Sequence, residues 1–75
     1  MQEKVLSIIN EIRTAKNLDS VIVFEQDMRL RDDLGFTSFD LAELTVKIED
    51  EFDIDIFEDG LVTTVGEILI KLNKL

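Results

Sequence analysis

Three stretches of this chain place apolar residues at helical spacing, and no two stretches place them at strand spacing. Val5, Ile8, Ile9 and Ile12 recur at i, i+3, i+4 and i+7, the stripe of a helix that buries one face. Leu41, Leu44, Ile48 and Phe52 repeat the signal in the best-patterned segment, and Val65, Ile68, Leu69 and Leu72 supply a third face near the C-terminus. Val21-Ile22-Val23-Phe24 has the composition of a short strand, but no second clear strand is there to pair with it. The expected fold is an all-α bundle of three main helices.

Local signals set the boundaries. Arg13 and Lys16 stand near the C-terminal end of the first helix, where cations suit the helix dipole, and Asn17 fits a left-handed cap after it. The next twenty or so residues lack sustained helical periodicity and read as a long packed loop. The second helix begins near Thr37-Ser38 and ends about Phe52. From Asp53 to Val62 the chain reads as a connection with a short fourth helix or helical turn, since Gly60 disfavours anything longer. Thr64-Val65-Gly66-Glu67 fits a capping box opening the last helix. With no proline, repeat or linker, residues 1–75 read as one domain. A core of that size supplies about 3 to 5 kcal/mol unaided.

Composition narrows function by exclusion. The chain has no cysteine and no histidine, which removes disulfides, thiolate ligands, the usual general base near neutral pH and every triad built on His or Cys. Intrinsic catalysis is therefore not expected, and neither is a metal site. Seventeen acids against eight bases give a net charge of −9, which repels nucleic acid and anionic membranes alike and favours a basic partner. From Asp32 to Glu67 the only base is Lys47, so one half of the molecule carries the field. No apolar run approaches membrane-spanning length and the N-terminal residues lack a signal-peptide pattern. A cytoplasmic monomer is expected.

The stretch Asp32-Asp33-Leu34-Gly35-Phe36-Thr37-Ser38-Phe39-Asp40-Leu41-Ala42-Glu43-Leu44 resembles the attachment site of acyl carrier proteins, in which an Asp-Leu-Gly step precedes Asp-Ser-Leu at the start of an acidic helix. The resemblance continues through Ile48-Glu49-Asp50-Glu51-Phe52 and Ile54-Asp55-Ile56 to Thr63-Thr64-Val65, most of the chain. It implies that Ser38 is the serine that receives 4′-phosphopantetheine from coenzyme A, flanked by Gly35, Thr37, Phe39 and Asp40. Thr37 stands where the family generally has Asp, and Phe39 where it has Leu. A serine at a helix start is usually only a cap. Here Thr37, followed three residues later by Asp40, can act as the cap and leave the Ser38 hydroxyl free. The unpaired N–H groups and partial positive charge of a helix N-terminus favour a phosphodiester there.

Geometry alone points to a second feature. Residues two apart on a helix point about 200° apart, so if Leu41, Leu44, Ile48 and Phe52 line the core, Phe39, Ala42 and Val46 form an apolar stripe toward solvent. Glu43 and Asp50 border it closely and Glu49 lies further round, giving a docking face with an acidic edge. The resemblance implies that basic patches on partner enzymes recognise Glu43, Glu49 and Asp50, with Lys47 a departure within that surface.

The implied mechanism has a phosphopantetheinyl transferase (holo-synthase), holding magnesium in its own site, modify Ser38. The arm's thiol would then carry acyl groups as thioesters between enzymes of fatty acid, polyketide or related biosynthesis. Leu44, Ile48, Ile56, Leu61 and Ile68 are expected to line an acyl pocket. The alternatives are an acidic adaptor or scaffold that has lost the arm, and a specialised D-alanyl or peptidyl carrier. Phe36-Thr37 before the serine, in place of the Gly-His common in peptidyl carriers, weighs against the peptidyl case. Calcium binding through Asp53, Asp55 and Asp59-Gly60 fails, because an EF-hand loop would need an oxygen ligand at Phe57 and glycine at Glu58.

Overall fold

The computed structural model describes residues 2–23, 25–58 and 60–73, and three helices account for its regular structure. Helix α1 spans Gln2–Ala15, α2 spans Ser38–Phe52 and α3 spans Val65–Leu72. Among the described residues the only strand-like pairing is a single antiparallel bridge between Arg29 and Thr64. Phe24 of the strand-like run and Asp59 of the rejected calcium loop lie outside the described residues.

Each helix buries the stripe that its spacing predicts. In α1 this is Val5, Ile9 and Ile12, with Ile8 half-buried beside them. Glu3 in its first turn and Arg13 in its last complement the dipole. Asn17 closes α1 in the left-handed conformation at φ 63°. Leu18 N–H donates to the Arg13 carbonyl at 2.9 Å and Asn17 N–H to that of Thr14 at 3.0 Å, the paired bonds of a Schellman ending.

Helix α2 packs on α1 and buries Leu44 and Ile48, with Leu41 and Phe52 half-buried at the edge of the core. Helix α3 buries Val65, Ile68, Leu69 and Leu72. Ile56, in a hydrogen-bonded turn rather than an assigned helix, and Val62 complete this side of the core.

The long loop is packed, as its apolar content predicts: Leu30, Leu34 and Phe36 are as buried as any helical residue. Three kinds of polar tether hold it. The Asn10 side chain both donates to the Val21 carbonyl at 3.2 Å and accepts from its N–H at 2.7 Å. The Arg13 guanidinium donates to the carbonyls of Asp19 and Leu34. The backbone is also stitched to the start of α3, through Leu30 N–H to Thr63 O at 2.9 Å, Val65 N–H to Met28 O at 3.0 Å and Gly66 N–H to Gln26 O at 2.7 Å. These bonds satisfy backbone groups that a buried loop would otherwise leave orphaned.

The start of α3 differs in one detail from a reciprocal capping box. The Thr64 hydroxyl accepts from Glu67 N–H at 3.2 Å as expected. The Glu67 carboxylate, however, accepts from the N–H and hydroxyl of Thr63, one residue earlier, as well as from the Thr64 hydroxyl. Two adjacent threonines offer it more donors than a single cap would.

Candidate functional site

The start of α2 is built as the sequence predicts. Thr37 is its N-cap: the Thr37 hydroxyl accepts from Asp40 N–H at 3.2 Å, and the Asp40 carboxylate accepts from Thr37 N–H at 2.9 Å. Asp40 is buried, 6% exposed, and its Oδ2 also takes the Thr37 hydroxyl at 3.1 Å and the Lys16 ammonium. No buried side-chain polar atom is left unpartnered among the described residues, and Asp40 Oδ2 gathers three donors. The hydrogen bond from Lys16, reinforced by those from Thr37, holds its carboxyl below the usual carboxylate range. Lys16 also donates to the Gly35 carbonyl at 2.8 Å, so one ammonium ties the end of α1 to both sides of the α2 start. Gly35 has φ 75°, the left-handed region that lets the chain turn from Leu34 into Phe36 without strain.

Ser38, the first residue of α2, is exposed. Because Thr37 does the capping, the Ser38 hydroxyl makes none of the helix's terminal bonds. Its Oγ instead accepts from the Arg31 guanidinium at 2.8 Å. That contact spans a loop and has no signature in the sequence. A hydroxyl in this position can lose its proton to an external base, and the guanidinium stabilises charge developing on the oxygen. A phosphoryl group esterified at this exposed hydroxyl would meet helix N–H groups and a guanidinium, so these residues suit a phosphodiester.

The solvent face of α2 carries the apolar stripe. Phe39 is 79% exposed and Val46 59%, with Ala42 exposed between them. Glu49 and Asp50 are exposed beside it and Glu43 is partly so. Lys47 turns away from this border to pair with Glu11 of α1 at 3.0 Å.

The pocket residues divide. Leu44, Ile48, Ile56 and Ile68 lie in the closed core, but Leu61 is 85% exposed and does not join them. The reason is local: residues 61 and 62 lie in a segment without regular structure, and it is Val62 that is buried. An open cavity of about 310 Å³ is lined instead by Leu30, Leu41 and Val62, with Arg29, Thr63 and the Ser38 partner Arg31 among its other walls. None of the five residues expected to line a pocket contributes to it.

No described helix is long and apolar enough to cross a membrane. No solved structure matches this chain. Residues 4–70 match the family model described as the phosphopantetheine attachment site. That match covers nearly the whole chain, including all of α2 with Ser38 at its start, and the chain therefore belongs to the phosphopantetheine-attachment family, whose covalent prosthetic group is 4′-phosphopantetheine.

Proposed function

We propose that this protein is a non-catalytic acyl carrier, one domain throughout, whose Ser38 bears the prosthetic arm. The observation that carries the reading is the exposed Ser38 hydroxyl, relieved of capping by Thr37 at the N-terminus of α2. In the loading reaction a bond forms between Ser38 Oγ and the phosphorus of coenzyme A nearer the pantetheine. The pyrophosphate P–O bond breaks, adenosine 3′,5′-bisphosphate leaves, and the serine proton passes to a base on the transferase. With no histidine or cysteine, this chain offers no base of the usual kind, in keeping with a substrate role. The group supplies a terminal thiol, on which acyl chains ride as thioesters. Ser38 anchors it, and Thr37, Asp40 and Lys16 hold the helix end that presents it.

The exposed stripe of Phe39, Ala42 and Val46, edged by Glu43, Glu49 and Asp50, is the surface we assign to the transferase and to basic biosynthetic enzymes. Charge of this kind sets encounter rate and orientation more than affinity, which suits a shuttle. The strong acidity favours a dissociated fatty acid or polyketide system as the user. For the acyl chain, the cavity between Leu30, Leu41 and Val62 is the entry, with the core around Leu44, Ile48, Ile56 and Ile68 behind it.

The test is intact mass after incubation with coenzyme A, magnesium and a broad-specificity phosphopantetheinyl transferase. One phosphopantetheine gained by the native protein and none by Ser38→Ala is the expected result. No gain with several transferases would reject the carrier reading in favour of an acidic adaptor.

A further inference from the structure

Arg31 stands on the turn that precedes α2, fixed there by Gly35 N–H to Arg31 O and Phe36 N–H to Leu30 O, both at 3.0 Å. The other cations of this region are already engaged, Arg13 with the carbonyls of Asp19 and Leu34 and the rest with carboxylates. Arg29 pairs with Asp32 and Asp33, Lys16 with Asp40 and Lys47 with Glu11. Arg31 makes no such pair among the described residues, and its guanidinium donates to Ser38 Oγ. A guanidinium carries five N–H donors in a rigid fork that matches phosphate oxygens, and a neutral hydroxyl occupies little of that capacity. Any phosphate on Ser38 would hold its free oxygens two P–O bonds beyond the Oγ that Arg31 already touches.

We propose that Arg31 is a positioning residue that binds the phosphodiester on Ser38 and so sets the direction in which the prosthetic arm leaves the helix. This rests on the assignment of Ser38 as the attachment point. Arg31 lies on the wall of the cavity that Leu30, Leu41 and Val62 line, whereas the Phe39 stripe faces solvent. A phosphate held by Arg31 therefore points the arm across Leu41 toward the cavity and away from the docking stripe. Since Arg31 is exposed, the pair is screened by salt and opens readily. An arm parked in this way is released when a basic enzyme competes for the phosphate.

The experiment uses the full chain loaded with phosphopantetheine, as wild type, Arg31→Gln and Arg31→Lys, with loading verified by intact mass. At low salt the wild-type phosphorus-31 resonance is expected to be displaced from that of Arg31→Gln, with Arg31→Lys between them. The displacement should collapse as the Debye length falls from roughly 30 Å at 0.01 M to about 3 Å at 1 M. The methyl resonances of Leu41 and Val62 should move on loading in the wild type and much less in Arg31→Gln. Complete loading of all three with one common phosphorus resonance at low salt would overturn the proposal while leaving Ser38 as the attachment point. Absence of loading on the wild type would overturn both. Should Arg31→Gln resist loading, the wild type decides: a phosphorus resonance that moves with salt together with the Leu41 and Val62 methyls supports the pair, and resonances that do not respond to salt reject it.

Discussion

Lys16, just beyond the end of α1, forms an ion pair with Asp40 in the first turn of α2, and the same Asp40 oxygen closes the α2 capping box. One carboxylate thus joins the two longest helices and fixes the helix end on which Ser38 sits. Asp40→Asn should destabilise the protein by about 1.5 to 3 kcal/mol at neutral pH, the range for hydrogen bonds to a charged group. The pH dependence has a definite sign. The folded protein holds Asp40 below its ordinary value of 3.8, so the unfolded chain binds its proton more readily. The stabilisation is complete above that value and is lost as pH falls from it through the depressed folded value. Urea midpoints from pH 7 to pH 2.5 should show the gap between wild type and Asp40→Asn closing on the acid side. A gap that stays constant to the lowest pH would mean that the charge of Asp40 contributes nothing.

Thr37 and Ser38 are neighbours with separate duties. Thr37→Ala removes the acceptor for Asp40 N–H and should cost about 1 kcal/mol. Ser38→Ala should change stability by no more than about 0.5 kcal/mol, because its hydroxyl is exposed and caps nothing. Thermal unfolding of the two variants tests the division. A large loss in Ser38→Ala would make the serine a structural cap.

Most of the helical frame was legible before any coordinates, and for local reasons. The stripes of α1, α2 and α3, the Thr37–Asp40 box and the left-handed Asn17 each depend on residues within a turn or two of one another. What was not legible depends on the path of the long loop. The Arg31–Ser38 contact and the cavity beside Leu41 exist because Leu30 and Gln26 are bonded to Thr63 and Gly66, and no spacing rule encodes such bonds. Lys16 illustrates the boundary between the two. Its place at the end of α1 follows from the dipole, but its partner Asp40 comes from packing α1 on α2. Leu61 was misplaced because an irregular segment has no period from which to tell the inward neighbour, Val62, from the outward one.

Gly66 marks the tightest of those loop contacts. A Cβ there would stand 2.9 Å from the Gln26 carbonyl oxygen, which is backbone and already accepts from Gly66 N–H. Gly66→Ala gains about 1 kcal/mol of helix propensity but must push the loop away, at about 1 to 3 kcal/mol. The net effect should be destabilising, with the amides of Val65 and Leu30, which donate across this seam, exchanging faster with solvent. Unchanged exchange at those amides would show that the loop yields freely.

The docking face makes a kinetic prediction. Glu43→Lys reverses a charge at the edge of the Phe39–Val46 stripe, and loading by a basic transferase should slow by about 3- to 10-fold at low ionic strength. At high salt the difference should shrink. Val46→Ser should slow loading at both ionic strengths while leaving stability nearly unchanged, since Val46 is 59% exposed. Equal kcat/KM for wild type and Glu43→Lys at low salt would remove Glu43 from the interface.

The far end of α2 is electrostatically unfavourable. Asp53 caps it at φ 59°, its last turn contains no base, and Glu49, Asp50 and Glu51 crowd the same end, where only Glu51 has a cation partner among the described residues, Lys4 of α1. Negative charge at a helix C-terminus opposes the dipole by about 0.3 to 1 kcal/mol per group at low ionic strength. Asp53→Asn removes one such charge and keeps a residue that tolerates the left-handed region. It should stabilise the protein by that amount at low salt and by little at 1 M, where screening already does the same work. A 15-residue helix is about 22 Å long, so the change lies well away from Ser38 and should leave loading untouched. Thermal unfolding at two salt concentrations beside a loading assay would test this. Higher stability with slower loading would show that the acidic end of α2, as well as the edge near Glu43, is read by the transferase.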